Sequence, residues 1–367
     1  MLFCCGLFAQ QDSTKMLLSY EMDFRLRTEW DWNSMESNGN MREDRSRIRY
    51  RFRTGLKLEK SWYTLAARIR TGDRRKQQDP QLTLGKRLSE FEKFPMGFEQ
   101  VYFKGQASKF NFSLGKVDFP FSKSNELFWS DNVFPEGISI ERSFDLESDA
   151  FKSFKLTAGH YILSSNGNSF WDAAYLQGLQ TTVETSEQRI SISSGIFLFR
   201  NVPNIPDGAH SFLLDYSIIN LSTKIKPFED KPISLEFDFY QNVEVYEAND
   251  AIEARFADAK SAYTIGLQWG TLERADSWFF KLTYTNIERY AILDYMAQND
   301  WGRWDYSFYS SPDGRLSNYR GMELVVAYAI SEKMNLVAKY YWIEQLDRIG
   351  LVRENGQRFR LDLNVRL

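Results

Sequence analysis

The stretch "RSRIRYRFRTG" (residues 45–55) places an arginine at every second position. Neighbouring side chains of a β-strand point to opposite faces, so one face would carry guanidinium groups and the other apolar and aromatic groups. A soluble sheet would bury the apolar face in a core and leave the arginines in bulk water. A membrane-spanning barrel would instead turn the apolar face to lipid and the arginines to a wet lumen. The rest of the chain decides between these two arrangements.

The same alternation recurs along most of the chain. From Leu18 to Trp32 every odd position is polar or charged, and every even position except Thr28 is apolar or aromatic. The last ten residues, "RFRLDLNVRL" (358–367), repeat the pattern. An amphipathic helix would instead repeat its apolar residues every three or four positions. The sequence therefore predicts an all-β fold of about sixteen strands.

The connections between these strands alternate in length. Short turns are expected at 59–61, 106–108, 185–187, 227–231, 273–275 and 331–332. Between them lie longer segments, at 33–41, 72–96, 119–135, 164–169, 201–210, 244–258, 289–317 and 347–354. This layout is typical of a transmembrane antiparallel β-barrel with short periplasmic turns and long extracellular loops. Aromatic residues at strand ends, such as Trp30 and Trp342, agree with the girdles of such barrels.

Lipid contact then determines which face of each strand points outward. A charged side chain on the lipid face would cost roughly 2–4 kcal/mol at the bilayer midplane. We therefore expect Ile48, Tyr50 and Phe52 to face lipid and the intervening arginines to face the lumen. Outer-membrane lipid is the first expected partner.

Composition argues against a helical membrane protein and against a nucleic-acid-binding protein. The chain has 367 residues, of which 16% are aromatic, and a formal net charge of -3. Its apolar runs are all much shorter than the ~18 residues that a membrane-spanning helix needs. The weak negative charge gives no reason to expect nucleic acid as a partner.

The N-terminus suggests processing. Leu2 to Ala9 form a short apolar run that ends in a small residue, which indicates that residues 1–9 are the remnant of a secretory signal peptide. Residues 10–367 would then form a single barrel domain. Cys4 and Cys5, the only cysteines, fall in the predicted remnant, so the mature chain would have no disulfide and no cysteine metal site.

Four stretches resemble the putative porin family of Bacteroidetes-type bacteria, within the wider group of Gram-negative outer-membrane porins. They are "REDRSRIRYRFRTGL" (42–56), "LAARIRTGD" (65–73), "FEQVYFKGQASKFNFSLGKVDFPF" (98–121) and "FWSDNVFPEGISI" (128–140). They cover roughly the first 140 residues, while later strands match only as generic barrel strands. Leu367 departs from the phenylalanine usual at the end of such barrels. The resemblance implies passive diffusion of solutes across the outer membrane and names no substrate.

The residues that enzymes need are scarce. Only two histidines occur, His160 in a predicted strand and His210 in a predicted loop. No serine–histidine pairing, histidine cluster or phosphate-binding loop can be identified. We therefore expect a protein that is not an enzyme, with no catalytic residues, no metal and no cofactor.

The charged lumen is the candidate site. If the first hairpin pairs around residues 33–41, Glu21 and Asp23 lie near Arg53 and Arg51. The expected pore-lining basic wall consists of Arg25, Arg27, Arg47, Arg49, Arg51, Arg53, Arg68 and Arg70. Eight arginines against two carboxylates would bias the pore towards anions. The other interpretation is that the arginines brace the barrel through cross-strand pairs.

The third long loop, 119–135, is expected to fold into the lumen opposite that wall. Its acids and those at its edges are the candidate constriction groups: Asp118, Glu126, Asp131 and Glu136. The predicted function is a water-filled porin for small hydrophilic solutes, including anions. One alternative is a dedicated exporter or importer of an anionic saccharide whose lumen is plugged by loops, and another is a structural or adhesive barrel that needs no open lumen. All three place the protein in the bacterial outer membrane, and the sequence leaves a homo-oligomer open.

Overall fold

A computed structural model describes residues 16–73, 79–85, 94–146, 148–165, 172–204, 212–247, 249–301 and 317–367. Sixteen long strands and one two-residue strand, β4, make up nearly all of the regular structure. In chain order they are β1 (Leu17–Met35), β2 (Arg45–Lys60), β3 (Tyr63–Thr71), β4 (Leu82–Thr83), β5 (Met96–Ala107), β6 (Phe110–Lys116), β7 (Glu136–Asp145), β8 (Phe151–Ser164), β9 (Ala174–Thr185), β10 (Ile190–Pro203), β11 (Leu213–Ile225), β12 (Ile233–Asn242), β13 (Ser261–Gly270), β14 (Trp278–Ile287), β15 (Tyr319–Ser331), β16 (Met334–Gln345) and β17 (Asn355–Arg366).

The sheet closes on itself. Each long strand pairs antiparallel with its neighbours in the chain, and β17 returns to pair with β1, from Asp23↔Arg366 to Asp31↔Arg358. The short β4 pairs with the upper part of β2, beyond the end of β3. The predicted all-β antiparallel barrel of about sixteen strands is confirmed.

The register of the first hairpin differs from the expected one by two residues. β1 runs on to Met35 and β2 begins only at Arg45, so Asp23 lies opposite Arg53 and Arg25 opposite Arg51. A shift of two keeps every side chain on its expected face, because the side-chain period of a strand is also two. The predicted pairing of Glu21 with Arg53 in the ladder is therefore wrong, although the faces are right.

Exposure along β2 agrees with the membrane arrangement. Ile48 and Leu56 are 49% and 60% exposed on the outer surface, whereas Arg49 and Arg51 are 7% and 4% exposed inside the barrel. Rings also pair near the strand ends on the outer face, as between Trp30 and Phe359, with 5.6 Å between their centroids. The arginines therefore point into the lumen and the apolar side chains point to lipid.

The short turns and long loops fall at opposite ends of the barrel, as predicted. Several parts of the expected loops, together with residues 1–9 and His210, lie outside the described residues. Within the described ranges, helix is confined to short 3-10 turns such as Ala254–Phe256, and none is long and apolar enough to cross a membrane.

The apolar core lies inside the barrel. Loop segments 117–135, 243–260 and 288–301 pack against inward-facing residues near the loop ends of β8–β16, including Tyr161 and Tyr341. The described loops therefore fill one side of the lumen at its loop end, and the charged wall of β17, β1, β2, β3 and β5 forms the opposite side.

Candidate functional site

The charged wall begins with the odd-numbered residues of β1 and β2. Alternation turns these side chains inward, and the antiparallel register places them side by side, for example Arg27 opposite Arg49 and Glu29 opposite Arg47. Arg27, Glu29 and Arg49 are nearly inaccessible to solvent. Buried charges need partners because desolvation disfavours an isolated ion.

All eight predicted arginines have a carboxylate within 4 Å. The pairs are Arg25–Asp362 (3.8 Å), Arg27–Asp362 (2.7 Å), Arg47–Glu29, Arg49–Asp79 (2.6 Å), Arg51–Asp23, Arg53–Glu99 (2.9 Å), Arg68–Glu99 (2.6 Å) and Arg70–Glu99 (3.3 Å). The expectation of eight arginines facing only two carboxylates therefore does not describe this wall. Many of these ion pairs join different strands, as the interpretation of the arginines as cross-strand braces expects.

Several of these partners could not be assigned from alternation alone. Glu99 lies at a register irregularity between β3 and β5, and both Glu99 and Gln100 are buried. A β-bulge places two successive residues on similar sides, which breaks the period of two. Asp79 comes from the loop between β3 and β5, and Asp362 reaches Arg27 because the barrel closes between β17 and β1. The sequence predicted a closed barrel, in which the last strand pairs with the first. The polar face of the last strand was therefore the signal from which Asp362 could have been identified as a partner of Arg27.

The segment 117–135 folds into the lumen and is held there by buried polar contacts. Asn125 Nδ2 donates to Asp238 on β12 at 2.6 Å, and the Ser122 amide donates to Gln180 Oε1 on β9 at 2.7 Å. Lys281 on β14 donates to the Ser124 carbonyl at 3.2 Å. These contacts attach the segment to the wall opposite the arginines.

Aromatic packing completes this attachment. Phe128 packs between Phe197 of β10 and Tyr240 of β12, with ring centroids 4.9 and 5.0 Å apart. Phe119 stacks on Trp129 at 4.5 Å, which folds the segment back on itself. Buried aromatic pairs add specific geometry to the area they remove from water. The segment is therefore a packed part of the molecule.

The four candidate acids take different positions. Glu126 and Asp131 line a charged cavity in the lumen, where Asp131 pairs with Lys123 and Glu126 accepts from the Asp131 amide at 3.0 Å. Asp118 accepts from Gln100 at 2.6 Å beside a separate cavity of about 490 Å³ near the turns. Glu136 starts β7 and pairs with Lys116 at 2.5 Å.

The segment contacts the predicted arginine wall through Asn132 and Phe134. Arg53 donates to Asn132 Oδ1 at 2.8 Å, and the Arg68 guanidinium lies 5.2 Å from the centre of the Phe134 ring. Of the eight predicted arginines, Arg25 and Arg27 line the lumen cavity beside Glu126 and Asp131. The loop acids were expected to face five arginines of the wall: Arg47, Arg49, Arg51, Arg68 and Arg70. The cavity that Glu126 and Asp131 line is instead bounded on that side by Arg25, Arg27 and residues of β16 and β17.

A second loop segment, 288–301, closes the cavity beside the first. The Gln298 amide donates to the Glu126 carbonyl at 2.9 Å, and the Ser130 amide donates to the Met296 carbonyl at 2.8 Å. Asp300 forms ion pairs with Arg360 of β17 and Arg27 of β1. Burial by itself would raise the pKa of Asp300, but the two guanidinium groups outweigh it and hold that pKa well below its ordinary value.

The resulting cavity has a volume of about 670 Å³ and a mixed, charged lining. Its cationic side chains are Arg25, Arg27, Lys123, Lys281, Lys339, Arg360 and Arg366. Its carboxylates are Glu126, Asp131, Asp300, Glu323 and Asp362. Seven cations against five anions leave a formal excess of two positive charges. Arg360, Asp362 and Asp300 are central to this site and were absent from the predicted set.

Candidate ligands for a metal do not cluster. Among the described residues there is no group of three or more histidine, cysteine, aspartate or glutamate side chains that could hold an ion. His160 interacts with Gln177 on the neighbouring strand at 3.2 Å, in a cross-strand pair of β8 and β9.

A closed antiparallel barrel with an apolar outer belt, a charged lumen and an inward-folded loop defines an outer-membrane channel. The family described as putative porin matches residues 19–212, more than half of the chain. The chain therefore belongs to this family, as its sequence resemblance predicted. Family and fold indicate a channel of the bacterial outer membrane rather than an enzyme.

Solved porin structures share the fold over nearly the whole chain. A triple mutant of the Rhodopseudomonas blastica porin has a TM-score of 0.53 at 10% identity, covering 96% of this chain and 100% of that one. OprB of Pseudomonas putida has a TM-score of 0.58 at 10% identity, covering 95% of this chain and 94% of that one. The outer-membrane channel DcaP of Acinetobacter baumannii has a TM-score of 0.54 at 11% identity, covering 98% of this chain and 100% of that one. No individually curated protein matches the sequence significantly.

Proposed function

We propose that the protein is a water-filled diffusion porin for small hydrophilic solutes, with a modest preference for anions. The observation that carries this proposal is the cavity lining, with its seven cationic and five anionic side chains. Charged groups at a narrow point of a pore set its ion selectivity, and low-dielectric walls focus their field. An excess of two charges supports a bias rather than strict exclusion of cations.

Reversal potentials in planar bilayers test this proposal. Arg25 lines the cavity, and its removal leaves Asp362 paired with Arg27 and Arg360, so Arg25→Gln should preserve the wall. At a separation of about 7 Å, a unit charge changes the energy of a monovalent ion by about 0.6 kcal/mol in water. Removing the charge makes anion entry less favourable and cation entry more favourable, each by about that amount. The ratio of anion to cation permeability should therefore fall roughly sevenfold at low salt, where screening is weak.

Arg142→Gln provides the matched control. Arg142 lies on the lipid-facing side of β7, with its guanidinium 5.0 and 4.4 Å from the ring centres of Phe110 and Phe144. Its removal should leave selectivity unchanged. A wild-type channel that selects cations, or an Arg25→Gln variant with the wild-type reversal potential, would contradict the proposed anion preference.

The second candidate is a dedicated exporter or importer of an anionic saccharide with a plugged lumen. It is favoured by the apolar packing of segments 117–135, 243–260 and 288–301 inside the barrel. The same bilayer recordings separate the candidates, because a plugged transporter would show no steady wild-type conductance. Steady, ohmic conductance supports the diffusion porin.

Two further expectations are proposals of the same kind. We propose that residues 10–367 form one mature barrel domain after removal of residues 1–9, which predicts a mature N-terminus at Gln10 in the protein purified from membranes. A homo-oligomer also stays a prediction. Sedimentation in detergent, with the bound detergent measured, distinguishes one copy from several.

A further inference from the structure

A pocket of about 640 Å³ lies at the loop end of the barrel, apart from the lumen cavity. It is formed between the β12–β13 loop and the β16–β17 loop. Its lining combines the arginines Arg255, Arg348 and Arg353 with the carboxylate of Asp347 and the apolar groups of Phe256 and Leu351. Three guanidinium groups around one carboxylate make this pocket cationic.

The walls of the pocket are held in place before any ligand arrives. Asn318 Nδ2 donates to the Asp347 carbonyl at 2.7 Å, and the Asp347 amide donates to Asn318 Oδ1 at 2.9 Å. On the other side, the Leu351 amide donates to the Ser37 carbonyl of the β1–β2 loop at 2.7 Å. Arg255 Nη1 donates to the Arg348 carbonyl at 3.0 Å and so joins the two loops. A preorganised site loses less entropy when a ligand binds.

The arginines differ in the bonds they already make. Arg255 pairs with Glu253 at 2.8 Å, and its guanidinium lies 4.4 Å from the centre of the Phe256 ring. Arg348 and Arg353 are exposed, and neither forms an ion pair within the described part of the chain. A guanidinium presents a planar fork of donors that matches a carboxylate or phosphate group. These two side chains therefore have donors available for an anion.

The apolar side of the pocket suggests the rest of the ligand. Leu351 is 75% exposed beside these arginines, while Phe256 belongs to the core packed inside the barrel. The pocket therefore lies over the barrel mouth rather than on the lipid-facing wall. A solute arriving from water fits this position better than a lipid headgroup does.

We infer that this pocket binds a small anionic sugar, through a carboxylate or phosphate group held by Arg348 and Arg353 and an apolar sugar face against Leu351. The inference goes beyond the proposed function, which concerns the lumen. Such a site would raise the local concentration of anionic solutes at the mouth. Binding is measured without conductance, so its failure and the failure of the diffusion porin are distinguishable.

Calorimetric titration of the full-length protein in neutral detergent at low salt tests the inference. The probes are galacturonate, neutral galactose and inorganic phosphate. Galacturonate should bind at least tenfold more tightly than galactose, and phosphate should compete with it. The Arg348→Gln/Arg353→Gln double variant should lose at least tenfold in affinity for galacturonate.

Arg274→Gln, an exposed arginine of the β13–β14 turn at the opposite end, serves as the control and should bind galacturonate like the wild type. Unchanged heat-modifiable migration on gels verifies that each variant is folded. Equal binding of galactose, unchanged affinity in the double variant, or no binding of millimolar galacturonate would overturn the inference. Binding confined to micelles containing phosphatidylglycerol would overturn it too, because it would identify a lipid site.

Discussion

At the scale of single residues, Glu99 is the centre of the charged wall. Its buried carboxylate lies 2.9 Å from Arg53, 2.6 Å from Arg68 and 3.3 Å from Arg70. Glu99 lies near all three arginines because the bulge in β5 turns its side chain inward beside Gln100. One carboxylate thereby connects arginines of β2 and β3 that would otherwise repel each other.

Replacing Glu99 with glutamine should destabilise the barrel strongly. Removing one partner of a buried ion pair leaves uncompensated charge and typically costs about 3–5 kcal/mol. Urea unfolding in detergent micelles measures the change. Glu187→Gln, in an exposed pair with Arg189, should change stability by less than about 1 kcal/mol. Equal stability of the two variants would show that the Glu99 network does not hold the wall.

Asp300 gives the docking of segment 288–301 a dependence on pH. Because Arg360 and Arg27 hold the pKa of Asp300 well below its ordinary value, its stabilisation is fully present above the unfolded value of about 3.9. That stabilisation is lost as the pH falls through the lower folded pKa. Stability should therefore fall less between pH 7 and pH 3 in Asp300→Asn than in the wild type. Identical losses, compared by urea midpoints, would exclude this role.

At the scale of elements, segment 117–135 is both a structural and a narrowing element. Phe128 anchors it to β10 and β12, and Asn125 ties it to Asp238, a buried acceptor also bonded by Ser222 Oγ at 2.5 Å and Thr264 Oγ1 at 3.2 Å. Its residues 123–126 and 130–132 line the cavity, while 127–129 belong to the apolar core. The same segment therefore packs the core on one side and narrows the lumen on the other.

Deleting residues 122–132 should raise single-channel conductance, because it removes one side of the cavity lining. The milder variant Asn125→Ala should retain the mean conductance with larger current fluctuations, since the tie to Asp238 is lost. Asn286→Ala, near the loop end of β14, is the matched control. Unchanged conductance in the deletion variant would place the constriction elsewhere.

The orientation of the loops gives a second test at this scale. Long loops of such barrels lie outside the cell and short turns lie in the periplasm. Epitope tags at Gln78 and Ser311, both outside the described residues, should bind antibody on intact cells. A tag at Glu332, in the short turn before β16, should react only after the outer membrane is opened. The reverse result would invert the topology.

At the scale of the whole molecule, the two sides of the lumen are built differently. Loop segments and inward-facing aromatic residues of β8–β16 form an apolar core on one side, and paired charges cover the other. The core restrains the loops, while the paired charges keep the opposite wall polar. We propose that hydrophilic solutes pass along that polar wall.

Closure of the sheet should make the barrel resist detergent. Each long strand is bonded on both sides, so opening the barrel requires the loss of a whole ladder. The unheated protein should migrate anomalously on a gel in dodecyl sulfate and shift after boiling, with circular dichroism of the β type. Substantial helix or stable solubility without detergent would contradict the barrel.

Much of this architecture follows from residues that are neighbours in the chain. The alternation in 45–55 and 358–367 determined that these segments are strands and which side chains face inward, because side-chain direction in a strand depends only on position. Connection lengths determined the order of turns and loops. The eight arginines were predicted in the same way, and each of them lies within 4 Å of a carboxylate.

Which groups those arginines meet was decided only by the tertiary structure. The two-residue register shift, the bulge at Glu99, the closure that brings Asp362 to Arg27, and the folding of Asp79 and Asp300 into the wall are long-range events. The two-residue period of side-chain direction is unchanged by such a shift. It carries no information about a bulge or about a loop that folds into the lumen. The sequence alone therefore determined the barrel and its faces, whereas packing between distant segments decided the charge and width of its lumen.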